Sequence, residues 1–251
     1  MKLENLRQDV LEANVELIRR GLVLYTFGNA SGISRRDGLI AIKPSGVPFD
    51  ALQPEDIVLT DLDGAVVDGS LRPSSDLETH LEIYKAFPHV GGVVHTHSTY
   101  ATAFAQAARE IPCLGTTQAD YFHGAVPVTA PLSAPEIEEA YERNTGLAIV
   151  RRFVGADPRR FPGVLVHGHG PFTWGESVAK AVFHAVILEE LARMAFLTLT
   201  LSPAAAPLPQ AQLDKHFLRK HGPAATYGQT DSGKGQARGA KAPASSALSE
   251  P

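Results

Sequence analysis

The sequence predicts one α/β domain, built on a central mixed or antiparallel β-sheet with helices on both faces. Segments with apolar residues at helical spacing alternate with short apolar runs typical of strands. Some of these runs are separated only by a turn, as in a β-hairpin. A chain of 251 residues is also long enough to bury one sizeable core.

The predicted elements begin with a helix that ends near Gly21, because the apolar residues before it recur at helical spacing. Asp63-Gly64 is a hairpin signal between two strand-like runs. Ser75 and Glu78 match the capping-box spacing and predict the start of a second helix. Further predicted elements are strands in 38–46, 56–68 and 125–130, helices in 74–87, 99–109, 134–153 and 176–199, and a loop over 115–124.

The most informative segment is GGVVHTHS, residues 91–98, where His95 and His97 stand two apart on an apolar run. Side chains at i and i+2 of a strand project to the same face. A second pair, His167 and His169, repeats this spacing on another apolar run. Two such strands can supply the three nitrogen ligands of a catalytic zinc site. Spacing alone leaves open which histidine of the second pair binds.

Charge, cysteine content and hydropathy exclude several classes of protein. A formal net charge of −4 gives no electrostatic case for a nucleic-acid partner. A single cysteine, Cys113, fits a reducing cytoplasm, and the charged N-terminal segment lacks the apolar core of a signal peptide. The apolar segment 181–201 is interrupted by charges, so we expect a core helix and no membrane span.

The last 22 residues differ in kind from the rest. Residues 230–251 are mainly Gly, Ala, Ser and Pro with scattered charges. Such a segment buries too little apolar surface to offset its chain entropy. We therefore predict a catalytic domain over 1–229 and a disordered tail over 230–251.

Seven motifs in order resemble the class II aldolase/epimerase family, and within it the sugar-phosphate epimerases. They are FGNASG (27–32), IKPSG (42–46), SSD (74–76), VHTHS (94–98), GTTQADYFHG (115–124), VHGHGPFTWG (166–175) and LDKHFLRKHGPAATYGQ (213–229). The resemblance covers nearly the whole chain except the tail. It implies the class II aldolase fold, a three-layer α/β/α arrangement.

The resemblance also implies one divalent metal per chain, usually Zn²⁺, with Mn²⁺ or Co²⁺ as alternatives. Its ligands here would be His95, His97 and His169, since His169 directly precedes the Gly-Pro-Phe of the family motif. Asp76 would also face the metal. Family aldolases acting on fuculose phosphate tend to have glutamate at that position and epimerases aspartate, which favours an epimerase.

The same resemblance assigns substrate and phosphate binding to two glycine-containing turns and a helix start. Backbone amides can approach a ligand closely at such turns, and a helix N-terminus attracts anions. Lys43 would add positive charge. The expected residues are Gly28, Asn29, Lys43, Ser45, Gly46, Ser74 and Ser75.

Proton transfer would fall to Asp120 and Tyr227, with the tyrosine contributed by an adjacent subunit of a homotetramer, so that the two groups of one site come from different chains. The weaker candidates for supporting roles are Thr116, Thr117, Glu142 and His216. Gln118 departs from the family, because a histidine is expected there. This departure puts a local hydrogen bond in doubt but leaves the metal ligands intact.

The implied activity is the interconversion of L-ribulose 5-phosphate and D-xylulose 5-phosphate, an isomerase reaction of pentose (arabinose) catabolism. It would proceed by cleavage and re-formation of the C3–C4 bond. Two alternatives stay open: a sugar-phosphate aldolase on the same fold, such as an L-fuculose-phosphate aldolase, and a non-catalytic interaction module like the adducin head. The intact histidines speak against the module.

Overall fold

Seven antiparallel strands form one sheet in the structure, a computed structural model that describes residues 2–222 and residue 225. The sheet order is β4-β3-β2-β1-β5-β7-β6, and every pair of neighbouring strands is antiparallel. In chain order the strands are β1 (Asn29–Ser34), β2 (Leu39–Ile42), β3 (Val58–Asp61), β4 (Val66–Asp68), β5 (Gly92–His95), β6 (Gly163–Leu165) and β7 (Pro171–Gly175).

Helices connect and cover these strands. They are α1 (Glu4–Arg19), α2 (Leu77–Ala86), α3 (Thr99–Gln106), α4 (Thr116–Ala119), α5 (Ala134–Arg152), α6 (Val178–Leu201) and α7 (Gln210–His221), with a short 3-10 helix at Pro54–Asp56. Within the described part of the chain, no helix is long and apolar enough to cross a membrane.

The sheet lies between two helical layers, which confirms the predicted fold class. Because successive strand residues face opposite sides, Val93 packs toward α2 and α5 while Val94 packs toward α1 and α6. The first side includes Tyr84, Phe153 and Trp174. A third cluster joins α3, α6 and β6. The sheet is therefore buried on both faces at its centre.

The register of three central strands fixes the position of the first candidate histidine. Asn29 of β1 pairs with His95 of β5, and His95 pairs in turn with Phe172 of β7. The rings of His95 and Phe172 stack with centroids 4.2 Å apart. The start of β1 and the end of β5 thus place the Asn29 amide and the His95 imidazole side by side.

Several predicted elements differ in detail. The second helix begins at Leu77, and its N-cap is Asp76, without the predicted capping bond from Ser75. The 125–130 segment contributes only isolated bridges, from Val126 and Val128. The predicted 115–124 loop contains α4, and α7 was not predicted. Tyr227 and the 230–251 tail lie outside the described residues.

A glycine on β5 sets the distance between the sheet and α6. A Cβ at Gly92 would lie 2.4 Å from the Val178 Cα atom and 2.6 Å from its backbone nitrogen. Real Cβ atoms do not approach backbone atoms so closely. A side chain at position 92 would therefore require α6 to move away from the sheet.

We therefore predict that Gly92→Ala lowers the free energy of unfolding by about 3 kcal/mol, as expected for overpacking against backbone. Urea unfolding followed by circular dichroism would measure it. Gly115→Ala is the control, because a Cβ at Gly115 meets no atom within 4 Å. Equal stability of the two variants would contradict the role assigned to Gly92.

Candidate active site

A cavity of about 420 Å³ opens beside the ends of β1 and β5. Its walls include every residue that the sequence predicted for metal and substrate binding. A larger cavity of about 800 Å³ between α1 and α6 contains none of them. The smaller one is lined by Thr26, Phe27, Gly28, Asn29, Lys43, Pro44, Ser45, Gly46, Ser74, Ser75, Asp76, His95, His97, Tyr141, Glu142 and His169.

Three imidazoles converge in this cavity. The Nε2 atom of His97 lies 3.0 Å from that of His95 and 3.1 Å from that of His169. Two nitrogens bound to a tetrahedral zinc, each at about 2.1 Å, lie roughly 3.4 Å apart. Among the described residues, these three form a group able to hold a metal ion. Their donor atoms are imidazole nitrogens, a ligand type that binds zinc and other divalent metals.

The route by which the histidines meet differs from the predicted one. His95 ends β5, but His97 lies beyond the strand, and His169 lies in the turn between β6 and β7. The prediction that both pairs lie on strands is therefore wrong. The short turn, which contains Gly168 at φ 67°, returns the chain over the end of β5. His167 lies in the same turn and does not belong to the cluster.

Burial keeps His95 neutral, and a hydrogen bond orients its ring. His95 is about 1% exposed, and its burial lowers its pKa to about 3. Its Nδ1 lies 3.0 Å from the carbonyl oxygen of Pro171, to which an Nδ1–H donates. This tautomer leaves the Nε2 lone pair free for a metal. Burial, with a smaller effect from His97, also lowers the pKa of His169.

Asp76 lines the cavity next to the histidines but is not part of the group of three. Its Oδ2 accepts a hydrogen bond of 2.6 Å from the Asn29 amide. Burial raises the pKa of this carboxyl group, but His95, His80 and the Asn29 hydrogen bond lower it by more. The net effect is a pKa below the usual range, so Asp76 is ionised near neutral pH.

Two loops form the opposite wall, where the sequence predicts an anion site. The Ser45 N–H donates to the Arg72 carbonyl, and the Ser74 N–H donates to the Lys43 carbonyl, so the loops hold each other. Gly46 has φ 71° and Gly28 has φ 85°, a region that glycine adopts without steric cost.

The Lys43 side chain is engaged by its own loop. Its Nζ donates to the carbonyls of Val47 (2.7 Å) and Pro44 (3.2 Å) and lies 4.6 Å from the Phe49 ring centroid. Burial lowers its pKa to about 8. Lys43 therefore holds the turn and contributes positive potential to the cavity wall.

Asp120 does not line this cavity. It follows α4 and accepts hydrogen bonds from His216 (3.0 Å) and Arg219 (2.9 Å), and it pairs with Lys220 at 3.2 Å. Burial raises its pKa, but these α7 groups lower it by more. Asp120 is thus anchored to α7, the helix that precedes Tyr227 in sequence. Of the weaker candidates, Glu142 lines the cavity, and Thr116 and Thr117 lie on α4.

Gln118 makes its own local contacts in place of the expected histidine. Its Nε2 donates to the carbonyls of Ile111 (3.1 Å) and Gly124 (3.0 Å). These bonds connect the segments before and after Asp120, so glutamine at position 118 still links the two sides of this loop.

Sequence reasoning missed two aromatic residues of the cavity. The Phe27 ring stacks on His97 with centroids 6.2 Å apart, and the Tyr141 ring lies 6.2 Å from that of His169. Phe27 lies within the FGNASG motif, which was a usable signal. Tyr141 lies in a helical segment that carries no such signal.

The chain belongs to the class II aldolase and adducin N-terminal domain family, whose model matches residues 8–196. It is 50% identical over 227 residues to a curated protein of Salmonella paratyphi B named L-ribulose-5-phosphate 4-epimerase UlaF, covering 90% of this chain and 100% of that protein. A Salmonella typhi protein of the same name shows the same identity and coverage.

Solved structures agree with the family assignment. An L-fuculose 1-phosphate aldolase superposes with a TM-score of 0.72 at 25% identity, covering 84% of this chain and 94% of that one. YgbL from Klebsiella pneumoniae, described as a putative aldolase/epimerase/decarboxylase, superposes with a TM-score of 0.68 at 26% identity. The match covers 86% of this chain and 99% of that one. The architecture is therefore that of class II aldolases.

We predict that the purified protein carries about one divalent metal per chain, as three converging imidazoles bind metals of the zinc type. His97→Asn should lose most of it, measured by plasma emission spectrometry after gel filtration. His167→Asn is the matched control, since His167 lies outside the cluster. Equal metal content in both variants would contradict the assignment of His97.

Proposed function

We propose that the protein is a divalent-metal-dependent epimerase that interconverts L-ribulose 5-phosphate and D-xylulose 5-phosphate. The observation that carries this proposal is a single cavity with three converging imidazoles on one wall and two glycine- and serine-containing loops on another. The name of the 50%-identical relatives supports the same substrate. Asp76, where family aldolases tend to have glutamate, favours epimerisation.

The substrate would lie across the cavity. The phosphate would be bound by hydroxyl groups and backbone amides of Ser45, Gly46, Ser74 and Ser75. Gly28 and Asn29 would lie beside these residues. His95, His97 and His169 would hold the metal, for which we propose zinc, with Asp76 as an adjacent ligand. A bound divalent ion supplies a Lewis acid that stabilises negative charge on the sugar oxygens.

The reaction cannot begin with loss of the C4 hydrogen, because C4 is beta to the C2 ketone and that hydrogen is not acidic. A base instead takes the proton of the C4 hydroxyl. The C3–C4 bond breaks, its electrons form an enediolate over C2 and C3, and C4 becomes an aldehyde that keeps the phosphate. The aldehyde rotates and is attacked on its other face, and an acid returns a proton to the new alkoxide.

Two proton-transfer groups are needed, one for each face of the aldehyde. Asp120 and Tyr227 are our candidates. Asp120 is anchored to α7 and lies outside its own chain's cavity, while Tyr227 follows α7 in sequence. The sequence predicts that the two groups come from different chains, but we propose instead that both come from a neighbouring subunit of a homotetramer. Each active site would then lie between two chains.

The proposal is tested by incubating the protein with L-ribulose 5-phosphate and measuring D-xylulose 5-phosphate. We expect turnover that a chelator abolishes and a divalent metal restores. Because remote phosphate binding orients the reacting carbons, kcat/KM for unphosphorylated L-ribulose should be lower by about 100-fold or more. Stoichiometric release of a free aldehyde would contradict epimerisation and identify an aldolase.

Sharing of the site between chains predicts complementation. Asp120→Asn and His97→Asn should each be inactive alone, and mixed tetramers should regain activity. Random mixing restores about a quarter of the sites if each draws one residue from each of two chains. Tyr227→Phe should behave like Asp120→Asn. Mixed tetramers confirmed by native mass spectrometry but without activity would place Asp120 and His97 in the same chain's site.

A further inference from the structure

Helix α5 is interrupted where it passes the cavity. Ala140 has extended backbone angles, φ −160° and ψ 71°, inside an otherwise helical run. The interruption directly precedes Tyr141 and Glu142, the two residues of α5 that line the cavity. The rest of α5 packs against α2 and the core, so Tyr141 and Glu142 are its contribution to the cavity wall.

Side chains around the break bond to backbone carbonyls on either side of it. The Asn144 amide donates to the Glu136 carbonyl at 2.8 Å, and the Thr145 hydroxyl donates to the Tyr141 carbonyl at 2.8 Å. From α2, the Thr79 hydroxyl donates to the Glu142 carbonyl at 2.6 Å. Carbonyls near a helix break require such partners. The break is therefore held both within α5 and by the neighbouring helix.

The break brings Tyr141 to the third histidine of the cluster. The Tyr141 hydroxyl lies 3.4 Å from Nδ1 of His169, and the two rings are nearly parallel, at 29°. His95 has an equivalent support, because its Nδ1 faces the Pro171 carbonyl. His169 lies in a turn, whereas His95 is held in a strand. A hydrogen-bond partner for Nδ1 therefore matters more for the orientation of His169 than for that of His95.

We propose that Tyr141 is a positioning residue that orients His169 for metal binding by accepting a hydrogen bond from its Nδ1–H. The inference rests on the metal site of the proposed function. A histidine that binds metal through Nε2 carries its proton on Nδ1, and a partner for that proton fixes the tautomer and the ring plane.

The test compares Tyr141→Phe with the wild-type protein in zinc affinity, measured without substrate by competition with a chromophoric chelator. Loss of an outer hydrogen-bond partner typically costs about 10- to 100-fold in metal affinity, so we expect at least a tenfold weaker Kd. The phenylalanine keeps the ring stacked on His169, and the melting temperature of the metal-free protein should stay unchanged. Tyr100→Phe is the matched control, because that ring packs on Phe196, away from the cluster.

The visible absorption spectrum of the Co²⁺-loaded protein gives a second readout, since it responds to ligand orientation and a purely structural role would leave it unchanged. We expect a shifted spectrum for Tyr141→Phe and a wild-type spectrum for Tyr100→Phe. Equal zinc affinity and equal spectra in both variants would overturn the role of Tyr141 alone. A wild-type protein that binds no metal would overturn the proposed metal site as well. If Tyr141→Phe binds zinc more weakly but the wild-type protein has no epimerase activity, the role of Tyr141 is supported and the proposed substrate is refuted.

Discussion

The antiparallel pairing of β5 with β1 and β7 is the constraint on which the site depends. It sets Asn29, His95 and Phe172 in one row across the sheet. Because a slip of one residue would turn His95 to the opposite face, the buried alternation of Val93 and Val94 also specifies where the imidazole lies. His97 and His169 lie on loops next to this row, so the geometry of the histidine cluster depends on the sheet.

Burial then determines the chemistry of the groups in the row. A buried imidazole stays neutral, and a neutral imidazole binds metal without first losing a proton. The Asn29 amide donates a hydrogen bond to Asp76, which favours the ionised form of that carboxyl group. Lys43 provides positive charge at the other wall while its donors are occupied by loop carbonyls. His95, Asp76 and Lys43 therefore each have hydrogen-bond partners that orient them in the cavity.

Much of this could be predicted from sequence, and the failures have physical causes. The clustering of His95, His97 and His169 was predicted by motif and spacing, although His97 and His169 lie on loops and not on strands. The break at Ala140 gave no signal in the sequence, because alanine favours helix. The Thr79 hydroxyl, which donates to the Glu142 carbonyl next to the break, comes from another helix far away in the chain. Helix α7 could have been found, because Leu213 and Phe217 are its buried residues at helical spacing.

Asn29 touches both walls of the cavity. Its amide donates to Asp76 beside the histidines and to the Ser74 hydroxyl at 3.0 Å, on the side of the anion loops. A change in either partner therefore alters the hydrogen bonding available to the other. The two walls are then thermodynamically linked, and such linkage is reciprocal: whatever a bound cation does to anion affinity, the anion does equally to cation affinity. A single buried amide would thereby couple the affinity of the cavity for a metal to its affinity for a sugar phosphate.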